Sequence, residues 1–391
     1  MERVDVNLIR VLHCPHQIGG QAANVARHER ALGLDSVAIA FAETKFGYPT
    51  DEILWDVKSS RLEQERGRWR LFARALKYFD VVHYNFGCPI LNWGGLDGRH
   101  RWMGGGLGGV YASLNMFLEL PMLKLARKVV AVTYQGDDAR QGDYSRKNYE
   151  FSIAQEVEEE EDYYSPGSDA GKRKRIARFS EYADLMYAAN PDLLNVLPPK
   201  ARFLPYAHID LKSWVPLDSG NSLAVPHVVH APSHKNAKGT KYILTAVERL
   251  KSEGIQLRFT LVEGLSNTEA RRVYETADLF VDQLLAGFYG GVSVEMMALG
   301  KPVICYLRES DMHYLPPAMS REMPFIKADP QSIYEVLRQW LTTRKDELHA
   351  RGLAGRSYVE RWHDPFKIAG GLKNDYQQAF VRRQSGLIAD L

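Results

Sequence analysis

Only three cysteines, Cys14, Cys88 and Cys305, occur in 391 residues, and their spacing suits neither a zinc cluster nor a disulfide framework. They fit a reducing compartment. Charge of one sign is equally scarce. With 50 Lys and Arg against 48 Asp and Glu, the formal net charge is +2, so no global field draws the chain onto nucleic acid. Any basic function has to be local. Nowhere do about 18 apolar residues run uninterrupted, and the strand-like Val4 to Leu12 lacks a signal-peptide cleavage pattern. The expectation is a cytoplasmic protein. No repeat of fixed period is visible. Asp137-Asp138 and Asp278 to Asp282 do not form an Asp-x-Asp clamp, so no metal and no Mg²⁺ dependence are expected. Ile18 to Ala23 lacks the Gly-x-Gly-x-x-Gly of a nicotinamide dehydrogenase.

At 45% hydrophobic and 25% charged, the chain is globular in composition and too long for one ordinary core. The opening reads as strand (Leu8 to His13), glycine turn (Gly19-Gly20), helix (Ala22 to Leu32) and strand (Ser36 to Phe41). Apolar runs at Val81 to Tyr84 and Val129 to Tyr134 continue the alternation that builds a parallel sheet. Glu156 to Arg178, acidic and then basic around Ser165-Pro166-Gly167-Ser168, reads as an exposed charged excursion. Trp214, Pro216, Ser219, Gly220, Asn221 and Pro226 interrupt the pattern and mark a domain boundary. A second alternation then runs from the strand His227 to His230 to the strand Pro302 to Tyr306, with helices expected at Lys241 to Glu253, Thr268 to Thr276 and Val292 to Leu299. The expected fold class is α/β with two Rossmann-like doubly wound domains, 1–212 and 213–365. A terminal helix, 366–391, packs back on the first.

Gly287-Phe288-Tyr289-Gly290-Gly291-Val292-Ser293-Val294-Glu295 is a glycine-bearing turn opening a short helix that Gly300 stops before the strand from Pro302. Such a helix start offers N–H groups and a positive dipole end to an anion, and Glu295, one turn inside, can accept hydrogen bonds from a ribose diol. Taken alone, paired glycines are as readily a packing turn. The same holds for Gln17-Ile18-Gly19-Gly20-Gln21, a tight turn or a ligand loop, while His13 and His16 beside it read as structural.

The stretch around Glu295 resembles the donor-binding signature of family-four glycosyltransferases of the GT-B fold: Glu, seven residues, Glu, a small-residue helix, Gly and Pro-Val. Glu295 stands at the second glutamate, which implies that it holds the nucleotide ribose, with Gly290, Gly291 and Val292 facing the donor. Gly287 replaces the first glutamate, eight residues earlier, and Asp282 is the candidate substitute for gripping the donor sugar. His230 to Thr240 resembles the family's cationic loop. Lys238-Gly239 matches its Lys-Gly pair, and Ser233, His234 or Lys235 stands near the missing arginine, so that Lys235 is the candidate second cation. A solvated loop is the plain alternative for both lysines. Lys128 to Arg140 resembles the strand ending in His-Gly-x-Asp. Gln135 replaces that histidine and cannot take up a proton, and Asp138 matches the aspartate. Gly19 and Gly20 match the family's first glycine loop.

The resemblance implies a GT-B architecture of two facing domains and transfer of a sugar from a nucleotide-sugar donor to a carbohydrate or glycoconjugate acceptor. Retention of configuration, metal independence and no cofactor beyond the co-substrate follow from it. A sugar-nucleotide epimerase, or a degenerate transferase that binds without turnover, remains open. Arg61 to Phe79 interleaves six cations with Trp69, Leu71, Phe72, Leu76 and Phe79; it is either a peripheral membrane contact at the inner face or an ordinary surface helix. Trp102 to Tyr111, with Gly104, Gly105, Gly106, Gly108 and Gly109, is a loop that could close over an acceptor, or a linker.

Overall fold

The computed structural model describes residues 8–44, 46–56, 58–91, 115, 118–157, 163–216 and 225–389. The glycine-rich Trp102 to Tyr111 and the turn formers Ser219 to Asn221 lie outside them. Two compact units are present: Met1–Gln141, Glu159–His208 and Pro365–Leu391 in one, Gly142–Glu158 and Ile209–Asp364 in the other. Residues 142–158, read from sequence as part of the first domain, fold with the second. Within that unit Tyr242 donates to Glu156 at 2.6 Å, and the Arg308 guanidinium donates to the Phe151 carbonyl at 3.0 Å and lies 3.5 Å from the Tyr149 ring centroid.

The first unit is built on strands β1 (Arg10–Cys14), β2 (Asp35–Ala40), β3 (Glu52–Ile53), β4 (Val81–Tyr84), β5 (Val129–Tyr134), β6 (Leu185–Ala188) and β7 (Arg202–Phe203). Their order is β3-β2-β1-β4-β5-β6-β7 and every pairing is parallel. β4 and β5 are buried at every position, as strands covered on both faces must be. Leu12, Val82, Val130 and Val132 pack with Leu71 and Phe72 of the helix Arg61–Tyr78 on one face. Val11, Val81, Val129 and Ala131 pack on the other with Leu372, Tyr376 and Ala379, spaced as one stripe of the helix Pro365–Ala389.

The charged excursion read at Glu156 to Arg178 is corrected from Pro166 onward. Ser165 caps a helix, Pro166–Tyr182, by accepting from the Ser168 N–H at 3.1 Å. Asp169, Lys172, Ile176 and Phe179 form its buried stripe. The Lys172 ammonium donates to the carbonyls of Arg140, at 2.7 Å, and Tyr163. Burial brings its pKa down to about 8, against the pull of Asp137 and Asp169. A run of cations hid the stripe because lysine passes for surface in any pattern reading.

The second unit has β8 (His227–His230), β9 (Arg258–Leu261), β10 (Leu279–Val281), β11 (Val303–Cys305) and β12 (Ile326–Lys327), ordered β12-β11-β10-β8-β9 and all parallel. Helix Leu348–Trp362 was not foreseen, since Gly352 and Gly355 weaken its helical signal. Both glycines are packing requirements. A Cβ on Gly352 would meet the Gly300 carbonyl oxygen at 1.9 Å, and one on Gly355 would meet Met297 Cγ at 3.0 Å. Among the described residues no helix is long and apolar enough to cross a membrane.

Candidate functional site

In the second sheet β8 lies between β10 and β9, so the chain leaves β8 and β10 toward opposite sides, and their carboxyl ends flank the topological switch point where open α/β sheets bind ligands. Asp282 follows β10 directly, and Lys238 ends the short helix Lys235–Lys238 after β8. The Lys238 ammonium lies 2.8 Å from Asp282 Oδ1. The other oxygen, Oδ2, accepts from the Gly290 N–H and the Ser293 hydroxyl, both at 2.7 Å. Burial alone would raise the Asp282 pKa, but Lys238, Gly290 and Ser293 together outweigh it and hold the carboxyl below its usual value. Both carboxylate oxygens are thereby committed to this chain. Asp282 positions the lysine and the glycine turn.

Gly290 begins the helix Gly291–Ala298, whose first turn no side chain caps. A Cβ at Gly290 would stand 3.0 Å from Lys238 Nζ and 3.4 Å from Asp282 Oδ2, so glycine here lets ammonium and helix start share one spot. Gly290, Gly291 and Val292 are half-buried, and Glu295 is buried one turn inside, its Oε1 accepting from Asn267 Nδ2 at 3.0 Å. Beneath the site, His230 is bonded at 2.8 Å to both the Val281 carbonyl and the Thr240 hydroxyl. Burial lowers its pKa to about 4. The neutral ring must donate to the carbonyl through Nδ1 and accept from Thr240 through Nε2. Gly239, at φ +73°, joins two helices where a Cβ would press Leu284 and Leu285 at 3.3 and 3.4 Å.

The remaining residues expected in this unit are less central. Ser233 is exposed in the loop after β8. Lys235 pairs with Glu263 at 2.9 Å in an exposed ion pair, so its charge is already shared. Gly287 has φ +81°, and a Cβ there would fall 2.4 Å from Arg308 Nη1. The buried Arg308 guanidinium, held by Asp311 at 2.9 Å, thus occupies the place into which a side chain at 287 would grow. Asn267, Ser293, His230 and Arg308 were not singled out from sequence as site residues. Ser293 lay inside the glycine motif and His230 opened the cationic loop, so each stood where a signal could have been sought.

Gly19, Gly20 and Gln135 lie in the first unit. Gly19 and Gly20 have φ +56° and +75°, and Gly20 opens the helix Gln21–Ala31. That left-handed pair is a turn only glycine makes cheaply. Asp138 accepts from the N–H groups of Gln135 at 3.0 Å, Gly136 at 2.8 Å and Gly87 at 2.8 Å, so it ties the loops that follow β4 and β5. The Gln135 carbonyl accepts from Asn190 at 2.9 Å. His13 is buried against Glu29 at 2.8 Å, and burial, with Arg68 nearby, lowers the His16 pKa to about 3. His16 also packs edge-on against Phe41 and Phe86.

No protein-family model and no curated protein matches the chain. Solved structures do. A sucrose-phosphate synthase from Thermosynechococcus elongatus superposes with a TM-score of 0.58 at 14% identity, over 95% of this chain and 100% of that one. The catalytic domain of starch synthase IV from Arabidopsis thaliana, bound to ADP and acarbose, gives 0.57 at 12%, over 95% and 99%. A glycosyltransferase from Rickettsia africae gives 0.55 at 12%, again over 95% and 99%. At such identities the likeness is one of fold, and the two parallel sheets with their flanking helices have the GT-B fold of those structures.

Proposed function

We propose that the chain transfers a glycosyl group from a nucleoside-diphosphate sugar to a hydroxyl of a carbohydrate or glycoconjugate, and that its second unit holds the donor. The observation that carries this reading is the meeting of the Lys238 ammonium with the uncapped start of the helix Gly291–Ala298, both fixed by the buried Asp282 carboxylate. A diphosphate there would meet backbone N–H groups, the positive end of the helix dipole and a cation. Those groups compensate the charge that grows on the departing nucleoside diphosphate, so turnover does not depend on a metal ion. Glu295, oriented by Asn267, accepts from the ribose hydroxyls. The ADP bound to the starch synthase of like fold supports a nucleotide ligand. The resemblance to family-four enzymes implies retention of configuration with a donor phosphate oxygen helping to take the acceptor's proton; Gln135, standing where that family has histidine, cannot take up a proton itself.

The test is thermal unfolding with UDP, GDP, TDP, ADP or CDP, with and without Mg²⁺. One nucleotide should stabilise the wild type by about 2.7 kcal/mol at a hundredfold excess over Kd, equally without metal, and Glu295→Ala should lose the effect. Stabilisation by none of them would remove the donor site. A second reading, nucleotide-sugar binding without turnover, is favoured by Arg308 filling the space beside Gly287. Release of free sugar from a stabilising donor rules it out.

A further inference from the structure

Two neighbouring helices of the first unit present an outer face that the donor site does not use. The helix Arg61–Tyr78 buries Leu71, Phe72 and Ala75, and the helical residues 118–125 bury Leu120 and Leu123, all in one core cluster. Their outer faces therefore look the same way. Phe79, Leu71 and Phe72, counted in sequence toward an amphipathic membrane face, belong to that core. What is exposed is different: Leu118 at 52%, Met122 at 40% and Leu125 at 82%, spaced as one helical stripe, with Leu62 at 59% and Trp69 at 39% on the neighbouring helix. Arg66, Arg70, Lys77 and Arg127 are exposed around them, Lys124 is exposed but paired with Asp184 at 3.5 Å, and the acids of the first helix are the exposed Glu63 and the half-buried Glu65, which accepts from the Trp69 indole at 2.9 Å.

We propose that this face docks on an anionic lipid bilayer. The apolar stripe would enter the boundary between headgroups and chains, Trp69 suits that interface through its amphipathic ring, and the cations meet the anionic headgroups. In a chain of net charge +2 these cations are a local concentration. They also argue against a second copy as the occupant, because a two-fold contact would set the same basic patch against itself. The inference stands apart from the donor site.

The full chain is sedimented with vesicles of phosphatidylcholine alone, or with about 30% phosphatidylglycerol, at low and high salt. Binding is expected to the anionic vesicles only and to weaken with salt. The double variant Arg66→Ser, Arg70→Ser should lose about 30-fold in partitioning. The triple variant Leu118→Ser, Met122→Ser, Leu125→Ser should lose binding with an unchanged circular dichroism spectrum, while Leu353→Ser, an exposed change in the second unit, should bind as wild type. Wild type left in the supernatant with anionic vesicles overturns the proposal. So does undiminished binding by both surface variants, or a dimer in sedimentation velocity that the triple variant abolishes.

Discussion

Removing either partner of the Lys238–Asp282 pair leaves a charge behind, and the two remnants are not equally tolerable. The Asp282 side chain is 1% exposed and that of Lys238 15%, so a stranded ammonium can turn toward water and a stranded carboxylate cannot. Lys238→Met should therefore cost about 3–5 kcal/mol at neutral pH, the range for a buried charge left without its partner. Asp282→Asn keeps the shape, but only one of its two terminal atoms can still accept, so either Lys238 or the Gly290 and Ser293 pair loses its acceptor; losing one charge-assisted set should cost about 2–3 kcal/mol. The double variant should cost less than the sum by about 1–3 kcal/mol, since neither charge is then stranded. In a unit of this size each kcal/mol moves the midpoint by about 2–4 °C, readable by calorimetry as a shift in the second unit's transition. In Lys238→Met, burial is opposed only by Gly290 and Ser293, so the Asp282 carboxyl rises relative to wild type. A carboxyl raised relative to wild type costs the variant more as pH climbs, so the variant should lie closer to wild type at about pH 5 than at pH 8. Additivity of the two single changes within about 0.5 kcal/mol would refute the coupling, as would Asp282→Asn proving the costlier change.

Two other expectations follow from buried groups. Burial raises the Glu119 pKa to about 7, over the opposition of the Tyr84 hydroxyl, the N–H groups of Leu91 and Ile90, and Arg68. A carboxyl raised from about 4.3 contributes stability that is fully present below that pH and lost as pH climbs to 7, up to about 3–4 kcal/mol. Unfolding free energies across that window should fall for wild type and run flatter for Glu119→Gln; identical slopes would show that Glu119 is not the titrating group. Gly287→Ala, at φ +81° and with its new Cβ 2.4 Å from Arg308 Nη1, should cost about 2–4 kcal/mol in chemical denaturation. Gly287→Glu should cost at least as much rather than improve activity, and a stable, more active Gly287→Glu would show that Arg308 moves aside freely.

The strand and helix alternation was legible because its signals are local. β8 and β11 fall within about two residues of the strands read from periodicity, and the helix Gly291–Ala298 opens at the glycines that announced it. Misreadings came where local chemistry and burial disagree. Lys172 lies in a run of charges yet is buried, and Gly355 looks like a helix breaker yet is what lets its helix approach Met297 of the helix Gly291–Ala298.

Within the site, sequence order by itself determined which residue types stand at the ends of β8 and β10: a lysine and glycine after one, an aspartate and a glycine turn after the other. Those follow from turn chemistry and hydrophobic period, which act over a few residues. Only the tertiary structure decided that Asp282 faces Lys238, 44 positions away in the chain. It also decided that Arg308 fills the space beside Gly287, and that residues 142–158 belong with the second unit. Such pairings depend on which strands become neighbours and on what each side chain meets once water is excluded, and contacts between distant segments leave no periodic trace in a single sequence.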